Sequence, residues 1–288
     1  MSIMKSIKKP GNRPVTMTIC ADAGMGKTTL AASFPAPIFV RAEDGMQAIP
    51  EAWRPDAFPV VRSSDDLWEQ LRALVKEPHE YKTLVIDSVT ALERLFGEEI
   101  LAKDPQAKSL NQALGGYGAG LAAVGHMHQR IRRAAAACVE RRGMNVVFIA
   151  HADTETVRPP DQEDYTRHSL RLNAKHSLAP YVDDVDVVGF LRLRMALKGS
   201  GTERKRAVGS GDRELVVHAT PTAISKNRFG ISAPLPVEHG KNPLASILDG
   251  KRAQTVEEET AAPAETDKPA AEDETADAPV GDGINWDE

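Results

Sequence analysis

Two cysteines in 288 residues, Cys20 and Cys138, are too few for a disulfide framework or a cysteine zinc site. Aromatic residues make up only 5% of the chain. No apolar run approaches the ~18–20 residues of a membrane span, and the opening MSIMKSIKKP lacks the apolar segment of a signal peptide. Secreted and membrane roles are therefore excluded as expectations, and a reducing cytosol with no membrane partner is the setting these absences imply. What is present is an ordinary globular composition, 41% hydrophobic and 27% charged, long enough to bury a sizeable core.

The net charge of −5 is unevenly spread. Residues 253–288 hold twelve acids and one base, which leaves 35 bases against 29 acids in the rest of the chain. A mildly basic body with an acidic tail is an arrangement associated with nucleic-acid partners. The tail is rich in Ala, Pro, Glu, Asp and Thr, with almost nothing apolar before Ile284 and Trp286. It cannot bury enough surface to offset its ordering entropy, so disorder is expected over residues 251–288. Its two apolar residues at the tip could dock on a protein partner. Residues 1–12 read as a short basic flexible arm, and residues 13–250 as one folded core.

The core alternates strand-like and helix-like segments. Strands are expected at 15–21, 37–42, 59–62, 83–87 and 145–150, and helices at 27–33, 65–76, 90–96 and 121–142. Leu67, Leu71, Leu74 and Val75 line one side of the second helix. Such alternation predicts an α/β fold, a mostly parallel central sheet flanked by helices on both faces. Past residue 180 the rhythm changes to strands without long helices, at 186–195, 214–219 and 222–225.

The run Ala21-Asp22-Ala23-Gly24-Met25-Gly26-Lys27-Thr28-Thr29 sits where an apolar strand turns into a helix. It fits the phosphate-loop pattern G-x-x-x-x-G-K-[ST], with Ala21 in place of the first glycine. Backbone N–H groups of such a turn form an anion nest, and the following helix adds its positive end. Lys27 would bridge the β- and γ-phosphates of ATP, and Thr28 would hold Mg2+. Leu84-Val85-Ile86-Asp87-Ser88 is an apolar strand ending in an acid, which places Asp87 at the sheet's carboxyl edge as the partner of the metal. An N-cap for the next helix is the other reading of Asp87-Ser88. His126 and His128, two apart on a helix, do not share a face and are not a metal pair.

Ile86-Asp87-Ser88-Val89-Thr90-Ala91-Leu92 resembles a stretch of RecA-type recombinases, and Phe39-Val40-Arg41-Ala42-Glu43-Asp44-Gly45 resembles the strand-end segment of their archaeal and eukaryotic relatives. The compact order of these motifs is most similar to phage-encoded RecA-like nucleotide-binding proteins, some of which are ATP-dependent single-strand annealing recombinases. The likeness spans roughly residues 13 to 235. It implies a RecA-like core, in the host cytoplasm if phage-encoded. It implies that Glu43 is the general base, with Asp44 as competitor, and that His151, at the end of the 145–150 strand, is the γ-phosphate sensor. A neutral imidazole can donate one hydrogen bond to phosphate.

The resemblance also implies two DNA-binding loops. The first, 104–120, carries Tyr117 among glycines, and Tyr117 could stack on a base. The second, 153–176, carries Arg158, Arg167, Arg171 and Lys175; flexible loops with spaced cations suit tracking of a single strand. Five arginines on the 121–142 helix (130, 132, 133, 141 and 142) read mostly as its solvated face. Lys226 and Arg228, alternate residues of an extended segment, resemble a pair that reaches the ATP of an adjacent subunit. The expectation is thus an ATPase stimulated by single-stranded DNA, assembling as a ring or filament and promoting annealing or strand exchange. A single-strand-binding protein or another replication protein could be the partner of the acidic tail. The alternatives are a hexameric ring helicase core, disfavoured because only a dozen residues precede the core, and a nucleotide-switched scaffold that binds a protein partner.

Overall fold

The computed structural model describes residue 7, residues 11–198 and residues 206–249, with backbone alone at 195–198 and 206–210. The chain divides into two units, Met1–Gln254 and Thr255–Glu288. The acidic tail and most of the basic arm lie outside the described residues, and the expectations placed on them with it.

In chain order the elements are β1 (Thr16–Ala21), α1 (Lys27–Ala32), β2 (Pro37–Arg41), β3 (Asp56–Ala57), α2 (Ser64–Lys76), β4 (Thr83–Asp87), α3 (Val89–Lys103), α4 (Ala119–Arg142), β5 (Asn145–Val157), β6 (Tyr165–Leu170), α5 (Ala179–Val182), β7 (Val187–Lys198), β8 (Arg206–Val216), β9 (Lys226–Asn227), β10 (Leu235–Val237) and α6 (Ala245–Leu248). The sheet runs β10-β8-β7-β1-β5-β4-β2-β3, with β6 added to β5 and β9 to β7. Strands β7, β1, β5, β4, β2 and β3 are parallel, and β8, β10, β6 and β9 pair antiparallel. The expected α/β class with a mostly parallel sheet is what the chain forms.

Strand alternation splits the core into two layers. Cys20, Ile38, Leu84, Ile86, Val146 and Phe148 face α2, α3 and α4 on one side. Met17, Ile19, Phe39, Val85, Val147 and Ile149 face α1 and α6 on the other. Both faces are covered, so β1 and β4 are buried at every position, the threonines and Asp87 included. Each large aliphatic or aromatic side chain so enclosed contributes roughly 1.5–3 kcal/mol. A capping box of Ser63 and Asp66 starts α2, and Ser88 caps α3 by accepting from the Ala91 amide.

Several expected elements differ: the 90–96 helix runs on to Lys103, and the 214–219 strand begins at Arg206 and ends at Val216. The 59–62 strand is replaced by β3 just upstream. Pro59 has no N–H for a ladder, although the Val61 amide still donates to the Arg41 carbonyl at 2.7 Å. The 222–225 strand is reduced to isolated bridges at Ala223. Strand β5 continues seven residues past Ala150 and folds back through β6. Thr154, Thr156, Val157, Tyr165 and Thr166 are strand formers, so the 153–176 segment opens as a β-hairpin rather than a flexible loop.

Candidate functional site

Parallel pairing fixes which residues reach the sheet's carboxyl edge. Ala21 of β1 is in register with His151 of β5, Ile149 with Asp87 of β4, and Asp87 with Arg41 of β2. Because β5 lies between β1 and β4, His151 emerges between the phosphate loop and the acid. Two residues beyond Arg41, Glu43 closes the group from the far side.

The loop between β1 and α1 turns through Gly24 (φ 76°) and Gly26 (φ 89°), left-handed backbone that favours glycine. No side chain caps the start of α1. The Lys27 ammonium donates to the carbonyls of Ala21 (3.0 Å) and Asp22 (2.9 Å). It also stands 3.4 Å from Nδ1 of His151. An ammonium has donors alone, so Nδ1 accepts and the opposite nitrogen carries the proton. That Nε2–H meets a Glu43 carboxylate oxygen at 3.2 Å, and the other Glu43 oxygen accepts from the Ser88 hydroxyl at 2.8 Å. The Thr28 hydroxyl donates to Asp87 at 2.7 Å. The result is one connected network, Lys27–His151–Glu43–Ser88, beside the Thr28–Asp87 pair.

Burial and hydrogen bonding shift these groups in different directions. Burial lowers the Lys27 ammonium below its ordinary range, opposed by the nearby carboxylates of Asp87 and Glu43. Burial raises the Asp87 carboxyl despite the Thr28 bond. The His151 hydrogen bond lowers Glu43, with Ser88 helping, so Glu43 is held as a carboxylate. Beneath them Cys20 is buried and its thiol is pushed up to about 12, which makes it inert at neutral pH.

Nearly all the residues expected at the nucleotide site are thus brought together: 21–29, Glu43, Asp87 and His151. Asp44 instead points outward and pairs with Arg41 at 3.3 Å. Sequence reasoning missed Ser88 and Thr90 as site residues, although both stand in the 86–92 motif. Ser88 holds Glu43, and the Thr90 hydroxyl accepts from the His151 amide at 3.0 Å.

The other expected residues lie elsewhere. On the hairpin, Arg167 pairs with Glu155 at 2.6 Å and Arg158 with Asp164 at 3.3 Å, while Arg171 donates to the Ala152 carbonyl at 3.0 Å. Lys175 is exposed beside Asn173, whose backbone amide is bound by Glu93 at 3.0 Å. Tyr117 is fully exposed on a tight turn with φ 52°, next to Leu114 at φ 58°. Lys226 donates to the Asp183 carbonyl at 2.8 Å, and Arg228 lies 3.5 Å from Asp186. Asn227 is opposite Val187, which is in register with Met17. Lys226 and Arg228 therefore sit at the amino edge of the sheet, away from the phosphate loop of their own chain. Three of the five arginines on α4 are engaged rather than merely solvated. Arg130 stacks over Trp68 at 4.1 Å, and Arg132 and Arg142 donate to the carbonyls of Asp184 and Glu77.

The phosphate-loop glycines, the Lys27 ammonium and the oxygen pair Thr28–Asp87 fit a nucleoside triphosphate with a hard divalent cation. No helix among the described residues is long and apolar enough to cross a membrane. A family model described as an AAA domain matches residues 13–229. No curated protein matches the chain.

Proposed function

The chain belongs to this AAA-domain family of nucleotide-binding ATPases, and we propose that it is an ATP-dependent recombinase of RecA-like type, binding single-stranded DNA and promoting annealing or strand exchange. The observation that carries this reading is the course of β5. One strand runs from His151 at the nucleotide edge into the hairpin that bears Arg158 and Arg167, with Arg171 just past its end. A change at the phosphates can thus be passed along one continuous strand to those arginines, which would exchange Glu155, Asp164 and the Ala152 carbonyl for DNA phosphates.

In this reading Lys27 leaves the loop carbonyls for the β- and γ-phosphates. Thr28 and Asp87 would hold Mg2+, which when bound neutralises charge on the transferred phosphoryl group. Glu43, already a carboxylate, takes a proton from the attacking water. His151 orients Glu43 through Nε2–H and stands next to Lys27, so it responds when the ammonium moves. Lys226 and Arg228, remote from their own loop, serve the ATP of a neighbouring subunit in a head-to-tail ring or filament. The acidic tail serves a replication partner such as a single-strand-binding protein.

Electron microscopy of the protein with ATP, with and without single-stranded DNA, tests the assembly. Rings or filaments that form or lengthen on DNA are expected. Monomers under every condition would count against the reading, and would favour a scaffold whose hairpin arginines serve their own carboxylates.

A further inference from the structure

The phosphate loop has two sides. Its γ-phosphate side is set by His151, Asp87 and Glu43, on or next to strands β5, β4 and β2, all on one flank of β1. A nucleotide whose γ end points there must send its nucleoside toward the other flank, where β7 and β8 lie. A cleft of about 410 Å³ lies on that flank, within the range of small-molecule sites. Its floor is one face of α1, with Gly26, Thr29, Leu30 and Ser33 at helical spacing. Its wall is Arg213 of β8 and the segment after β10.

Two features of this cleft have no evident structural purpose. The Arg213 guanidinium lies against Gly26, where a Cβ would collide with it, so the glycine leaves the space the guanidinium occupies. Arg213 is exposed and has no hydrogen-bond or ion-pair partner among the described residues. At the rim, the rings of His239 and Trp53 pack with centroids 4.5 Å apart, and Trp53 remains 53% exposed. A free cation beside the phosphate loop, followed by an exposed aromatic pair, matches a nucleotide read from phosphate to base.

We infer that this cleft receives the nucleoside of the bound nucleotide, with Arg213 on the phosphate nearest the ribose and the His239–Trp53 pair as the platform on which the base stacks. The inference rests on the nucleotide-site reading above and adds residues that no motif marks. Stacking of a base on an aromatic side chain makes the loss of His239 worth about tenfold in affinity.

The test compares Mg2+-ADP with inorganic tripolyphosphate, by calorimetry on the full chain. His239→Ala and Arg213→Ala should each bind ADP about tenfold more weakly. His239→Ala should bind tripolyphosphate as the parent does. Trp53 emission in the parent should respond to ADP and not to tripolyphosphate, with Trp53→Phe identifying the signal. Parental ADP affinity in both variants, or a Trp53 signal indifferent to ADP, would overturn the assignment. Failure of the parent to bind either ligand would instead strike the nucleotide site itself, and the cleft with it.

Discussion

Ser88 does two jobs, and its removal should be felt in both stability and chemistry. It is fully buried, caps α3 through the Ala91 amide at 3.1 Å, and donates to Glu43 at 2.8 Å. Loss of a serine cap to alanine costs about 1 kcal/mol. A hydrogen bond to an ionised group contributes ~1.5–3 kcal/mol, but the Glu43 side chain is 36% exposed, so water replaces part of it and about 1 kcal/mol is the better figure. Ser88→Ala should therefore lose about 2 kcal/mol, a fall in Tm of roughly 4–8 °C for a domain of this size. Glycine is a tolerable cap, worth only a few tenths less than serine. Ser88→Gly should fall by roughly half as much, because it loses mainly the Glu43 bond. Both variants also remove a group that lowers the Glu43 pKa, so the acid limb of the turnover profile should move to higher pH in each. Calorimetric melting, and ATP turnover followed from pH 8 down to about 3.5, read these effects. Parental Tm in the alanine variant, or an acid limb that stays in place in both, would refute the reasoning.

Lys27→Ala should abolish ATP binding in a fluorescent-nucleotide titration, whereas Glu43→Gln should keep binding and lose turnover; parental turnover in Glu43→Gln would pass the role to another base. Arg228→Ala should bind nucleotide and hydrolyse it poorly, and mixing it with Lys27→Ala protein should restore some activity; no recovery in proven mixed assemblies would mean a site complete within one chain. Burial holds His128 neutral, with its pKa lowered to about 3 from 6.5. The unfolded chain takes up that proton first as pH falls, so the His128 contribution is complete above pH 6.5 and declines toward pH 3. It costs about 2 kcal/mol between pH 6.5 and 5; urea unfolding at the two pH values should show the parent losing that much more than His128→Asn, and equal losses would contradict it. Cutting the chain after Lys251 should tighten single-stranded DNA binding most at low salt; equal affinity of both forms at low ionic strength would remove any role for the tail in masking DNA contacts.

Buried parallel strands were legible because their chemistry is uniform. Residues 83–87 form β4 with the expected limits, and the acid at its end lies at the sheet edge. The phosphate loop was legible because its spacing follows from one function. The β5–β6 hairpin was not, because Thr154, Glu155, Thr156 and Arg167 alternate on an extension with one face to solvent, and such polar alternation reads as loop. Ser88 and Thr90 were hidden in plain sight: both were read as strand-end and helix-start residues, and only the fold brings β2 and β5 against them. Arg213 carries no motif at all. It reaches Gly26 because β8 returns antiparallel beside β7, and β7 pairs with β1, a strand far from it in the chain. Lys226 and Arg228 were expected to face one way along a strand, but β9 is two residues long and each cation finds its own acceptor.

The most direct test is ATP turnover by the full chain with Mg2+, titrated with single-stranded DNA at low and at high salt, with Glu43→Gln as the background. The account predicts a rate that rises with DNA and a rise that shrinks as salt is added. A chain that hydrolyses ATP at one unchanging rate over all DNA concentrations at low salt would contradict it.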